Sequence, residues 1–386
     1  MPTGDIPYLK RDIYNIYSDN VVGMSVNKSF SPDQDLMEKI SMATNTEVPF
    51  YLEKNEAINN CVEKDEFLHP EINGKQPAYD VVETQFFSVN IPEHDIQGVF
   101  YTIHHPHLNL VSGGVWICQG IKPLAICSDI FDMRDYMSDT VLKDDLHKYR
   151  LDNGYGVEVI KPLDKLHVTY DDPIRENTVD LFYSAVTPPL MFDNSLHFEQ
   201  GMRAEGEIII AGKKYPVDSY NVRDRSWGKR RPEHHVNVPP LYWTNCNFGD
   251  DFVFNCVSFD CPSLDPDWKR MGMFDEFTEE NRFLSGWIFK NGNLRKLIDV
   301  KKITTHNPRT LFPERVEIEI TDSEMEKHKL IGEIRAASRW ECWPNFNTVV
   351  CLTKWECNGR IGYGDTQMYL HHDYIKDPRV YSKMLS

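Results

Sequence analysis

From Tyr79 onward the chain is written in short runs in which apolar and polar residues alternate with a period of two, as in Val179-Asp-Leu-Phe-Tyr-Ser-Ala-Val186 and Arg315-Val-Glu-Ile-Glu-Ile320. That period places successive side chains on opposite faces of a strand. The runs are rich in β-branched and aromatic residues and are bounded by Gly, Asn or Pro. Turn signals recur at Ala211-Gly212, Gly249-Asp-Asp251, Lys290-Asn-Gly-Asn293 and Cys357-Asn-Gly-Arg360, each between two apolar runs, so antiparallel hairpins are predicted there. Counted this way, the chain holds about fifteen short strands. Few helices are expected. Residues 1–75 are polar and irregular and read as an arm, with one short helical stretch predicted at Pro32–Ile40, capped by Ser31 or Asp33. The segment from Asp129 to Lys148 reads as polar connection, and Pro188-Pro189 as a boundary or sharp crossover.

Length turns this pattern into an architecture. At 386 residues and 45.0 kDa the chain exceeds the usual size of one hydrophobic core. The fold class expected is all-β, with two successive antiparallel β-barrels and few helices, although one large sandwich would show the same spacing. The divisions expected are an arm over 1–75, a first barrel over 76–190 and a second over 191–386. A formal charge of −17 repels nucleic acid and anionic membranes, so neither is an expected partner. No apolar run reaches the roughly 18 residues of a spanning helix, and the opening residues mix Asp, Lys and Arg, so a soluble, cytoplasmic chain is expected. Nine scattered cysteines with no C-x-x-C pair argue for free buried thiols rather than disulfides or a zinc site.

Chemistry concentrates in Ser219-Tyr-Asn-Val-Arg-Asp-Arg-Ser-Trp-Gly-Lys-Arg-Arg231 and the Pro232-Glu-His-His235 that follows. Asp224, Tyr220, His234 and His235 are groups that transfer protons, and Glu199 would complete an acid and base pair. In a strand, Arg223 and Arg225 face away from Asp224, whereas Tyr220 and Val222 share its side. A surface ion-pair cluster would have the same composition. His104-His-Pro-His107 and His371-His-Asp373 invite a metal, but Pro106 interrupts the first and no acidic or thiol ligand stands at a usual spacing. No metal site is expected. The chain also lacks a Lys-Ser/Thr phosphate loop after Ser112-Gly-Gly114 and a G-x-S-x-G elbow.

The octet Arg223-Asp-Arg-Ser-Trp-Gly-Lys-Arg230 resembles the R-D-H-S-W-G-x-R signature of the lipocalin-like superfamily of carotenoid 1,2-hydratases, kievitone hydratase and decalin-forming Diels–Alderases. Val82-Glu-Thr-Gln-Phe-Phe87, Trp116, His197-Phe-Glu-Gln200, Tyr215, Trp243 and Gly362-Tyr-Gly364 are similar to its strands in order. The resemblance implies two lipocalin-like barrels and a cofactor-independent lyase or isomerase, a hydratase, dehydratase or cyclase, acting on a hydrophobic, isoprenoid-like molecule. It implies Asp224 as the acid, and Trp227, Trp243, Tyr242, Trp116 and Arg223 as residues around the substrate. Arg225 stands where histidine is common and Asp365-Thr-Gln367 where glutamate is often found, so those roles do not carry over. A pericyclase that mainly orients its substrate, and a carrier that leaves its ligand unchanged, are the alternatives.

Overall fold

The computed structural model describes residues 57–58, 61–72, 74–79, 81–192, 196–230, 239–261, 282–341, 343 and 346–377. The helix expected at Pro32–Ile40, like His234 and His235, lies outside them.

Among the described residues there are two sheets. The first is formed by β1 (Ala57–Ile58), β2 (Val81–Ile91), β3 (Ile96–His105), β4 (Leu110–Gln119), β5 (Ile130–Ser138), β6 (Lys148–Arg150), β7 (Gly156–Lys161), β8 (Lys165–Asp172), β9 (Asn177–Ala185), β10 (Leu190–Phe192), β11 (His197–Ile210) and β12 (Lys213–Arg230). Its order is β5-β4-β3-β2-β12-β11-β9-β8-β7-β6, with β10 on β11 and β1 on β10, and it curls into a half-barrel. The second comprises β13 (Leu241–Asn247), β14 (Phe252–Phe259), β15 (Phe283–Lys290), β16 (Asn293–His306), β17 (Pro313–Asp322), β18 (Lys327–Trp340), β19 (Phe346–Cys357) and β20 (Arg360–His371). Each pairs with the next and β13 with β20, so this barrel is closed and has no edge. A single turn of helix, α1 (His372–Lys376), follows it.

The expected all-β pair of barrels is therefore the architecture. Turn chemistry explains much of it: Ala211-Gly212, Asn291-Gly292 and Asn358-Gly359 all take left-handed pairs of φ (48° and 76°, 50° and 80°, 51° and 79°), the combination that matches strand twist in a two-residue hairpin.

Two expectations are corrected. Pro188-Pro189 is not a boundary between the sheets, because β10 beyond it joins the first sheet through β11. Thr187 Oγ1 accepts the Gly201 N–H at 2.9 Å, so the prolines mark a crossover within one sheet. The chain changes sheets only between Arg230 and Leu241, and the strand with the octet belongs to the first. Within the segment read as polar connection lies β5, an edge strand that pairs only with β4. Its Asp132, Arg134 and Asp135 fit an edge, where charge deters further pairing.

Inside the half-barrel pack Phe87, Phe100, Val115, Leu166, Val168 and Leu181; inside the closed barrel, Phe254, Ile288, Ile318, Leu330 and Trp355. The outer faces of the two sheets meet along a third apolar layer. There Val82, Phe86, Val99 and Trp116 touch Trp340, Trp343 and Val350, while Leu190 and Phe192 touch Leu241, Val253 and Trp287. The cysteines of the described residues are free, and most of them are buried.

The inner face of β12 carries charge. Arg223, fully buried, grips Glu66 with Nη1 and Nη2 at 2.7 and 2.8 Å and donates from Nε to Gln200 Oε1 at 2.9 Å. Arg225 donates to Glu83 Oε2 at 2.9 Å and to the Thr84 and Phe67 carbonyls at 3.0 and 2.6 Å. Removing one member of such a pair strands the other without water. Arg223→Leu is expected to lower stability by about 3–5 kcal/mol in denaturant unfolding, and Glu66→Met/Arg223→Leu to lose less than the single change. Equal losses would show that the ion pair is not what the single change breaks.

Candidate active site

Because β12 alternates, its even positions point away from those arginines toward the closed barrel. Ser226 Oγ meets Thr84 Oγ1 at 2.5 Å on that outer face, and Ser88 Oγ donates to the Val222 carbonyl at 3.2 Å. Asp224 lies between Val222 and Ser226. In register it stands opposite Phe86 on one side and Glu199 on the other. Directly opposed residues of an antiparallel pair share a face, with Cβ atoms about 4.5–5.5 Å apart. The fold thus sets the two carboxyl groups side by side.

Glu199 is buried and is held from the other barrel. Trp243 Nε1 on β13 donates to Oε1 at 2.8 Å, Trp287 Nε1 on β15 to Oε2 at 3.0 Å, and Asn255 Nδ2 on β14 to Oε2. His197 Nε2 lies 3.5 Å from Oε1. These contacts cross the seam between the sheets. Around them the layer is closed: Val222, Ser226, Phe86 and Glu199 are all buried. Asp224, Trp243 and Tyr369 are instead half-buried, and the rings of Trp243 and Tyr369 lie 5.5 Å apart edge to face. A carboxyl and two aromatic rings therefore keep partial access to solvent beside fully buried neighbours of the seam.

A third carboxyl faces the seam on β20. Asp365 Oδ1 accepts from Gln97 Nε2 of the half-barrel at 2.7 Å, and its N–H donates to Asn245 Oδ1 at 3.0 Å. Complete burial pushes this carboxyl up to about 6, against the downward pull of Ser88, Gln97, Asn245 and Gln367. Ser88 is two residues from Phe86, the partner of Asp224, so Asp365 sits one row along the same face.

A family model spans residues 63–371 of the chain, under the description "domain of unknown function (DUF7064)". The chain belongs to this family. No curated protein matches it. Among solved structures, CghA with Sch210972 is similar at 10% identity over 83% of this chain and 95% of that one, with a TM-score of 0.48. A candidate AttH from Nitrosomonas europaea is similar at 11% identity over 79% and 100%, also with a TM-score of 0.48. Kievitone hydratase from Nectria haematococca is similar at 11% identity over 82% and 98%, with a TM-score of 0.45. At this level the likenesses carry no argument about substrate or reaction. No helix of the described residues is long and apolar enough to cross a membrane.

Of the residues singled out from sequence in this DUF7064 member, Asp224, Glu199 and Trp243 converge on the seam. Trp116 lies in the same layer but on β4, three strands along the sheet from β12. The others go elsewhere. Arg223 is on the opposite face of β12, bound to Glu66. Tyr220 shares the face of Asp224, but its phenol, pushed up by burial and then by Asp250, bonds that residue, and the Arg203 guanidinium lies 6.0 Å from its ring. Trp227 stacks on His69 at 4.1 Å, within the register shift between Ser226 and Lys229 where Gly228 takes a φ of 71°. Tyr242, next to Trp243 and hence on the other face of β13, points into the closed barrel, with Lys302 Nζ 3.4 Å from its ring centre and His306 Nε2 on its hydroxyl.

Sequence reasoning missed Asp365, whose position it noted only as a departure from a glutamate. It also missed a polar cluster inside the closed barrel, where Lys302 Nζ and Thr304 Oγ1 both donate to Asp260 Oδ1. Nothing local announces either group, since both depend on partners far along the chain. As to metals, Asp322, Glu326 and His328 place ligand atoms within 4.8 Å of one another, but Arg295 and Lys290 already neutralise those carboxylates. Of His104 and His107, the first bonds Asp139 and the second is exposed.

Because Asp365 keeps its proton up to about 6 when folded and loses it from about 3.8 when unfolded, its burial takes stability away as pH rises through that interval. The difference corresponds to roughly 3 kcal/mol above it. Asp365→Asn is expected to unfold at higher denaturant than the parent near pH 8, with the gain vanishing near pH 4. A variant that is less stable near pH 8 would show that the hydrogen bonds of the carboxylate outweigh its desolvation.

Proposed function

We propose that this protein is an acid–base enzyme, a lyase or isomerase that works on a hydrophobic small molecule at the seam between its two sheets. The observation that supports this most is the register pairing of Asp224 with Glu199 at a half-buried stretch of the apolar layer between the sheets. In the hydration sense, Asp224 gives its proton to one alkene carbon and leaves a cation on the other. Water adds to that cation, and its surplus proton passes to Glu199. The dehydration sense runs the same transfers backwards. In a cyclisation, the second double bond of the substrate takes the place of water, and the new cation it leaves loses a C–H proton to Glu199 to give the product alkene.

Each part has a physical basis. Trp243 and Tyr369 present ring faces to a developing positive charge, a contact worth about 2 kcal/mol once water is excluded. Three N–H donors fix Glu199 before the substrate arrives, so no reorganisation is needed during proton transfer. Phe86 and Val222 supply apolar wall. The isoprenoid character of the substrate is carried by the sequence resemblance to hydratases, and no step calls on a metal or redox group.

Positioned acid–base groups contribute about 10²–10⁴-fold. On a panel of terpenoid alkenes and tertiary alcohols, Asp224→Asn is therefore expected to lose at least about a hundredfold in kcat with its unfolding midpoint unchanged. Full turnover by Asp224→Asn would remove the acid–base mechanism. If Trp243→Ala were then inactive, orientation of a polyene would replace proton transfer as the reading.

A further inference from the structure

The half-barrel has a mouth on the side of β12 away from the seam, and it holds an open cleft of about 400 Å³. Leu68, Pro70, Pro77 and Pro106 give it apolar wall, Gln76, Glu83 and His107 add polar lining, and His69 and His104 present their rings among them. Glu83 and His104 are directly opposed on β2 and β3.

Both imidazoles are anchored from behind by a carboxylate. His69 Nδ1 lies 3.2 Å from Glu83 Oε2, and His104 Nε2 lies 3.3 Å from Asp139 Oδ2. A carboxylate only accepts, so in each ring an N–H points at it and, in a neutral ring, the remaining nitrogen carries a lone pair; for His69 that nitrogen also lies 3.9 Å from Asp65 Oδ1, beyond hydrogen-bond reach. Those remaining atoms, His69 Nε2 and His104 Nδ1, are buried and have no hydrogen-bond partner. Leaving such a group buried and unpaired is unfavourable, so a ligand that satisfies them recovers that loss.

The anchors are themselves fixed. Burial pushes the Glu83 carboxyl up, but the His69 hydrogen bond and the Arg225 charge outweigh it and hold the group below the usual carboxylate range. Burial likewise lowers His104, against Glu83 and Asp139, which favours the neutral, accepting ring. His69 also lies flat on Trp227, with ring centres 4.1 Å apart and planes within 5°. The rings are thus held in orientation before anything binds.

We propose that this cleft is a second ligand site, separate from the seam, that takes a small apolar molecule bearing hydroxyl groups, whose O–H donors are received by His69 Nε2 and His104 Nδ1. Three features select that class. Much of the wall is apolar, the two unpaired ring nitrogens accept when their rings are neutral, and carboxylates already stand at both imidazoles, Glu83 and Asp65 at His69 and Asp139 at His104, so a cation is not needed to balance charge. The cleft is reached from the opposite face of β12, so its occupancy does not depend on any reaction at Asp224.

The test uses resorcinol as the probe and its dimethyl ether as a control of the same ring without donors. Histidine ring nitrogens of the full-length protein are followed by NMR while each is titrated in. Resorcinol is expected to shift the His69 and His104 signals in a saturable way, and the ether to bind at least tenfold more weakly. His104→Phe and His69→Phe, which keep a flat ring but remove the acceptor, should each weaken resorcinol by several-fold, while Asp224→Asn should leave it unchanged. Equal binding of resorcinol and the ether to the parent, unaltered affinity in both Phe variants, or no saturable shift would each overturn the proposal. The probe and ether arms need no variant to fold, and the unchanged Asp224→Asn control separates this site from failure of the reading given for the seam.

Discussion

The period of two along β12 governs the molecule. Because neighbouring side chains of a strand leave on opposite faces, one short stretch serves two environments that would be incompatible if mixed. Arg223 and Arg225 pass inward to Glu66 and Glu83, and Asp224 passes outward to Glu199 and Phe86. Had the register slipped by one residue, two guanidinium groups would face an apolar seam and a carboxyl would enter the inner network. The buried ion pairs set that register more than they add net stability, since taking such charges from water costs about as much as their attraction returns.

The closed barrel completes what the half-barrel begins. Three of its strands reach across with Trp243, Asn255 and Trp287 to bind a carboxylate that belongs to the other sheet. Asp365 makes the reciprocal reach to Gln97. The contacts alternate between polar clamps and apolar packing around Trp340 and Trp116, so the seam is both cohesive and specific in orientation. The mouth of the half-barrel is tied to the same strand, because Arg225 holds Glu83, which holds His69.

Much of the architecture was legible in the sequence, because strand period and turn chemistry are local. Asn291-Gly292 and Asn358-Gly359 specify their hairpins whatever surrounds them. At Pro188-Pro189 the sequence left a boundary and a sharp crossover open, because proline reports a missing N–H, not which sheet receives the next strand, and the topology takes the crossover. β5 was passed over because edge strands are polar for the same reason that loops are. For the site, alternation alone separated Asp224 from its arginine neighbours, and Glu199 was picked out by residue type. Tyr220, Tyr242 and Trp227 were drawn toward Asp224 by closeness in sequence, and the structure gives their polar tips or rings to Asp250, His306 and His69. Asp365 gave no signal, since its burial is created by strands more than a hundred residues away.

The measurement that bears most directly on the paired carboxyl groups is a double-mutant cycle in kcat/KM between Asp224→Asn and Glu199→Gln on the best substrate of the terpenoid panel. Groups that act in one proton-transfer sequence lose activity together, so the double variant should be no worse than the poorer single one. Losses that simply multiply would mean that the two carboxyl groups act apart, and that their pairing across β11 and β12 is a matter of packing alone.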